Sequence, residues 1–282
     1  RILGPLEVSR EEGPLPLGGR RERVVLALLL LNANRRVSRD ELEAALWGQS
    51  APATAANAIQ VVVSRLRKLV EPGGALSTER GGYLLRIDPE QLDLHRFERL
   101  LEEGRAALAD GRPEAASARL REALALWRGR ALADLGYEPF AQGDIARLEE
   151  QRLVAIEERV EAELALGRHA SLVGELTTLV REQPLRERLR GQLMLALYRS
   201  GRQAEALAAY QDARSVLVDE LGLPLFVKPA NMGSSVGVTK AHDTTPVVSG
   251  FRAVVNRGEK VVLVRVETSP GHTALARIPA AA

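Results

Sequence analysis

Two related phrases near the middle of the chain limit its fold more than any other feature. "LALGRHASLVGELTTLVREQPL" and "LYRSGRQAEALAAYQDARSVLV" carry Gly-Arg pairs at 167–168 and 201–202, a spacing of 34. Apolar residues three and four apart surround each pair, as amphipathic helices require. A helix stop recurring at that period predicts stacked helix hairpins of the tetratricopeptide type. Ala204, Ala206, Ala208 and Ala209 suit such a hairpin, because small side chains let its two helices approach closely. "DGRPEAASARLREAL" repeats the phrase earlier but out of period, and an Ala-rich bundle without repeats is the competing reading. Breaks at "DGRPEAA", "RGRALADLGYEP", "LGRHASL", "REQPLRE" and "SGRQAEA" leave six helices, at 93–109, 113–128, 140–166, 168–182, 185–200 and 203–220.

The first ninety residues have a different texture. "RILGPLEV" and "GPLPLGG" read as short strands that need a partner to pack on. "RRERVVLALLLLNAN" (20–34) is a strongly apolar helix. "VSRDELEAALWG" is a second, with Ser38 as N-cap, Glu41 completing a capping box and Gly48 closing it. "APATAANAIQVVVSRLRKLVEPGG" is a third, capped by Thr54 and stopped by Pro72. "ALSTERGGYLLRID" (75–88) is a hairpin around Arg80-Gly81-Gly82. Strands, three helices and a terminal hairpin are the order of a winged helix-turn-helix, so the chain is mainly α, with an α+β start and an all-α continuation.

The third helix has two faces. At 100° per residue, Ile59, Val62, Val63, Leu66 and Val70 fall on one side. Asn57, Gln60, Val61, Ser64 and Lys68 fall on the other, flanked by Arg65 and Arg67. Amides pair with adenine edges, a valine touches a thymine methyl, and cations reach guanine or phosphate, so the stripe carries groove-reading chemistry. The same stripe also fits an ordinary solvated helix face. Arg80 at the hairpin tip favours the first reading, since a charged wing adds a second DNA contact.

Charge alone does not decide it. Lys plus Arg against Asp plus Glu is 13 to 11 over residues 1–90, 19 to 23 over 91–223 and 7 to 3 over 224–282. A slightly basic first region is a weak nucleic-acid footprint. With no cysteine, disulfides and thiolate metal sites are excluded. The four histidines are dispersed without metal-ligand spacing. The longest apolar run, Val24 to Leu31, is far too short to span a membrane. The expectation is a soluble cytoplasmic protein.

With these elements in place, residues 1–222 resemble the SARP class of antibiotic regulatory proteins. The likeness rests on "ILGPLEV", "TAANAIQVVVSRLRKLV", "RGGYLLRIDPEQLDLHRFERLL", "WRGRALADL", "EEQRLVAIEERVEAELALGRHASLVGEL" and "PLRERLRGQLMLALYRSGRQAEALAAYQDARSVLVDELG". It implies an OmpR-type winged helix over 1–90 that binds direct repeats in promoter double-stranded DNA. It also implies a tetratricopeptide-like bacterial transcriptional activation domain over 93–222 that recruits RNA polymerase and its sigma subunit. A homodimer on DNA, within a bacterial nucleoid, fits that picture. Carried over by position, Asn57, Gln60, Ser64, Arg65, Arg67 and Lys68 lie on the recognition helix and Arg80 on the wing.

Past Gly222 the likeness changes. "LPLFVKPANMGSSVGVTKA" resembles the D-alanine–D-alanine ligases, in which a lysine and a Gly-Ser-rich loop close on ATP phosphates. Lys228, Gly233, Ser234, Ser235 and Gly237 match that loop, which opens the alternative of an ATP-grasp ligase. The rest of 223–282 supplies no acidic cluster to hold metal-bound ATP, so no cofactor, metal or catalysis is expected. "RAVVNRGEKVVLVRVETSPGHTALARI" resembles a fragment of pyruvate phosphate dikinase, with His272 near the position of its phosphate carrier, which adds a phosphotransferase fragment to the alternatives. Residues 223–282 therefore read as a β-prone tail without a complete domain, in which "KVVLVRVET" pairs with "PLFVKP" or stays unpaired. A third reading is a repeat-type interaction protein whose winged helix no longer binds DNA.

Overall fold

The computed structural model describes residues 1–10, 12–71 and 74–221, with backbone alone from residue 217, and five further strands as backbone. The chain divides into two compact units, Arg1–Gly167 and Arg168–Ala282.

In the first unit, helix α1 (Arg20–Leu31) follows the hairpin of β1 (Val8–Arg10) and β2 (Gly13–Leu15). Val24, Val25, Leu26, Ala27, Leu29 and Leu30 are all buried, so α1 is the central rod on which its neighbours pack. Strand β3 (Arg36–Ser38) leads into α2 (Arg39–Trp47), whose capping box forms as the sequence predicts. The Ser38 hydroxyl accepts from the Glu41 N–H at 3.2 Å and the Glu41 carboxylate accepts from the Ser38 N–H at 2.7 Å. Helix α3 (Ala55–Val70) buries Ile59, Val62, Val63 and Leu66 against α1. Its start departs from expectation, because the Thr54 side chain caps nothing. At φ −92° and ψ 6°, Thr54 lacks the extended backbone from which an N-cap hydroxyl reaches back to the first turn.

Strands β4 (Gly74–Glu79) and β5 (Gly82–Ile87) form the expected hairpin, and β3 adds a third strand in the antiparallel order β3-β5-β4. Gly82 marks how closely β3 approaches: a Cβ there would lie 2.1 Å from the Val37 carbonyl oxygen. Helices α4 (Asp93–Ala109), α5 (Pro113–Ala125) and α6 (Gln142–Ala165) follow, packed α4 on α5 and α5 on α6.

Residues 1–7 are not the predicted strand, although Ile2 and Leu3 are fully buried. Buried backbone must find partners, and here they come from beyond residue 90. Asp93 accepts the Ile2 N–H at 2.8 Å and the Leu3 N–H at 2.9 Å. The Leu132 and Arg128 N–H groups donate to the Ile2 and Leu3 carbonyls at 3.0 and 2.8 Å. Asp134 accepts the Leu6 N–H and pairs with Arg23 of α1, while Glu138 grips Arg20 through two bonds of 2.6 Å. The winged-helix elements and α4 to α6 consequently share one apolar core running from Ile2 to Ala162.

The second unit holds α7 (His169–Glu182), α8 (Glu187–Arg199) and α9 (Gln203–Leu221), each packed on the next. The repeated Gly-Arg phrase has a physical cause: Gly167 and Gly201 take φ of 78° and 77°, the left-handed conformation that ends a helix. Beyond them, β6 (Leu225–Val227) pairs with β7 (Thr239–Ala241), and β8 (Phe251–Val255), β9 (Val262–Thr268) and β10 (His272–Arg277) form a sheet in the order β10-β9-β8. The strand in "KVVLVRVET" thus pairs with β8 and β10, not with "PLFVKP".

Candidate nucleic-acid interface

Burial of one face of α3 against α1 leaves the opposite face to solvent. Asn57, Gln60, Val61, Ser64, Arg65 and Lys68 are all exposed, and Val61 retains 52% of its surface. An exposed valine among amides and cations is unneeded for packing and suits contact with a thymine methyl. Near the C-terminal end of α3, the Arg10 guanidinium donates to the Glu71 carbonyl at 2.5 Å, satisfying an orphan acceptor.

The two arginines flanking the stripe differ. Arg65 stays 68% exposed, and its Nη1 donates to the Glu22 carboxylate of α1 at 2.7 Å. That hydrogen bond is the main reason the Glu22 carboxyl sits below its ordinary range, outweighing the opposing effect of burial. Arg67 is half-buried and faces the wing: its Nε donates to the Leu76 carbonyl at 2.9 Å and its Nη2 to the Thr78 hydroxyl at 2.7 Å. It ties α3 to β4, two residues before the turn that carries Arg80. The Lys68 carbonyl accepts from Arg10 at 3.4 Å, while its exposed ammonium has no hydrogen-bond or ion-pair partner among the described residues.

The wing tip holds cations the sequence reading missed. Arg80 is exposed at the turn, Arg36 Nη1 donates to the Arg80 carbonyl at 2.8 Å, and the Arg39 N–H donates to the Gly81 carbonyl at 3.1 Å. Arg36 and Arg39 are exposed and belong to the tip only because β3 pairs with β5. A β-prone "RVS" before a capped helix was the available signal. The proposed phosphate loop of Lys228, Gly233, Ser234, Ser235 and Gly237 lies outside the described residues. No group of acidic residues and histidines able to hold a metal ion occurs among the described residues.

The second unit contains a mainly apolar cavity of about 330 Å³ walled by Val180, Leu193 and Ala208. Arg181 and Arg190 line it, and the buried Arg190 donates to Asp212 and to the Pro184 carbonyl, both at 2.6 Å.

The family described as "Transcriptional regulatory protein, C terminal" matches residues 15–85, and "Bacterial transcriptional activator domain" matches 92–226. The first match spans α1 to the wing and the second α4 to α9. Among curated relatives, the regulatory protein DnrI of Streptomyces peucetius is 41% identical over 79% of this chain and 85% of its own length. The chain belongs to the SARP family of transcriptional regulators. The transcriptional regulatory protein EmbR of Mycobacterium tuberculosis H37Rv is 36% identical over 90% of this chain and 71% of its own. The regulatory protein AfsR of Streptomyces coelicolor is 46% identical over 79% of this chain, which spans 22% of AfsR's length. The solved structure of M. tuberculosis EmbR in complex with a low affinity phosphopeptide superposes with a TM-score of 0.76 at 40% identity, over 79% of this SARP-family chain and 60% of that one. A third description, "D-ala D-ala ligase C-terminus", matches residues 192–264 and overlaps the activation-domain match across α8 and α9. The relatives named here are all described as regulatory proteins.

Proposed function

We propose that this chain is a sequence-specific, DNA-binding transcriptional activator: residues 1–90 read promoter DNA and residues 93–222 contact the transcription machinery. The observation that carries this reading is the outer face of α3, where Asn57, Gln60, Val61, Ser64, Arg65 and Lys68 stand exposed on a rigidly packed helix. In this reading the Asn57 and Gln60 amides and Val61 touch base edges, Arg65 and Lys68 reach guanine or phosphate, and Arg80 contacts DNA from the wing. Arg67 serves by holding the wing beside the helix. Arg36 and Arg39 extend the wing contact to the backbone.

RNA polymerase and its sigma subunit are the partners proposed for residues 93–222, and two copies on direct repeats account for promoter recognition, in the bacterial cytoplasm on nucleoid DNA. The residues toward the tail enter as a flanking segment with no catalytic part. Selection of binding sites from random duplexes, followed by fluorescence anisotropy over a salt series, tests the core of this reading. Arg65→Ala combined with Lys68→Ala is expected to weaken binding and flatten the salt slope by about 0.9 for each lost phosphate contact. Binding unchanged in that double variant would remove α3 as the reading helix.

A further inference from the structure

We propose that Glu22 is a positioning residue for DNA reading: from α1 it fixes the Arg65 guanidinium at the edge of the α3 stripe and screens its charge from non-specific phosphates. The inference rests on α3 being the DNA-contacting helix. The asymmetry of the ion pair carries it. The Glu22 side chain is only 12% exposed, whereas Arg65 is 68% exposed, so the carboxylate is the anchored partner and the guanidinium the presented one. Glu22 lies in the first turn of α1, where the helix dipole favours a negative charge, and it packs within 3.3 Å of the place a Cβ on Gly18 would occupy. A carboxylate so held cannot follow the arginine into solvent.

An arginine without such a partner spreads over many rotamers and meets whichever phosphate is nearest. Held at one nitrogen by Glu22, Arg65 keeps its remaining donors in a fixed fork, the arrangement that pairs with the two acceptors of a guanine edge. Val61, four residues earlier, and Lys68, three later, share its side of the helix, so the fork is placed between an apolar contact and a free cation. Glu22 therefore trades raw affinity for discrimination, because the carboxylate offsets one positive charge facing the DNA.

The test compares Glu22→Gln, Arg65→Ala, their double variant and Arg65→Lys in the full chain, measuring affinity for the selected duplex and for a random duplex over a salt series. Glu22→Gln preserves shape and removes the charge. It is expected to tighten random-duplex binding about threefold to tenfold, steepen the salt slope by about 0.9, and lower the specific-to-random ratio at least about fivefold. In the Arg65→Ala background it should leave that ratio where Arg65→Ala alone puts it. Arg65→Lys, which keeps Glu22 and the charge but loses the fork, should lower the ratio without flattening the slope. An unchanged ratio in Glu22→Gln, or an equal change with and without Arg65, would overturn the role of Glu22. A silent Arg65→Ala would also overturn it, whereas failure of the α3 assignment is read from unchanged binding of Arg65→Ala combined with Lys68→Ala, so the two failures are distinguishable. If Glu22→Gln does not fold, Arg65→Lys decides alone: an unchanged ratio there overturns the proposal.

Discussion

Replacing Asp93 tests the idea that the N-terminal segment is bound to the helices rather than to a sheet. The Asp93 carboxylate is 5% exposed and accepts the Ile2 N–H with both oxygens, at 2.8 and 2.9 Å, and the Leu3 N–H at 2.9 Å. Besides the Leu94 N–H of its own helix start, Asp93→Ala strands the two buried donors of the N-terminal segment, each costing about 1–3 kcal/mol, so the expected loss from those two is about 2–6 kcal/mol. Asp93→Asn keeps one acceptor oxygen and turns an amide toward the other donors, for an expected loss of about 1–3 kcal/mol. Against a typical stability of about 5–15 kcal/mol, the alanine variant approaches the limit of folding. Urea unfolding followed by circular dichroism and by fluorescence of Trp127, which stacks edge-on against Phe97 of α4 at 5.4 Å, measures both. Hydrogen exchange should show the Ile2 and Leu3 amides losing protection first. Losses below about 0.5 kcal/mol in both variants, with those amides still protected, would refute the argument that Asp93 satisfies them.

Gly82→Ala should be severely destabilising and should abolish DNA binding, since its Cβ would meet the Val37 carbonyl oxygen at 2.1 Å and drive β3 from the wing; a melting temperature within a degree or two of wild type would contradict that geometry. Glu163 of α6 is the other sensitive group. Burial pushes its carboxyl up, but the Arg121 hydrogen bond and the Arg159 charge outweigh this and leave it below the ordinary glutamate range. A carboxyl depressed in the folded state contributes stability that is complete above its unfolded value, about 4.3, and lost as pH falls through the folded one. Glu163→Gln should therefore destabilise the fold at neutral pH and flatten the acid limb of the stability profile. An acid limb with the wild-type slope would show that the ion pair does not contribute.

How much of this was readable in advance depends on whether the relevant force acts along the chain or across it. The helices were legible because their signals are local: the Ser38–Glu41 box, the left-handed Gly167 and Gly201, and the divided face of α3 all lie within a few residues of the structure they specify. Thr54 failed as a cap because residue type alone does not set φ and ψ at a helix start. What escaped were pairings of distant residues. Nothing near Ile2 announces that its N–H will find a carboxylate 91 positions later, so a buried irregular segment read as a strand. The same limit shaped the candidate site. Arg65 and Arg67 are two residues apart and looked equivalent on a helical wheel, yet Glu22 lies beneath one and the wing's Leu76 and Thr78 beside the other. Arg36 and Arg39 went unnoticed because their place at the wing tip is created by β3 pairing with β5, a contact across more than forty positions. Reading a DNA-binding surface from sequence therefore identifies the helix that presents it before it identifies which cations are free to act. Arg67 is already bonded to the wing and Arg65 to Glu22, whereas the Lys68 ammonium, unpaired among the described residues, is the α3 cation that would meet a phosphate without breaking an existing side-chain bond.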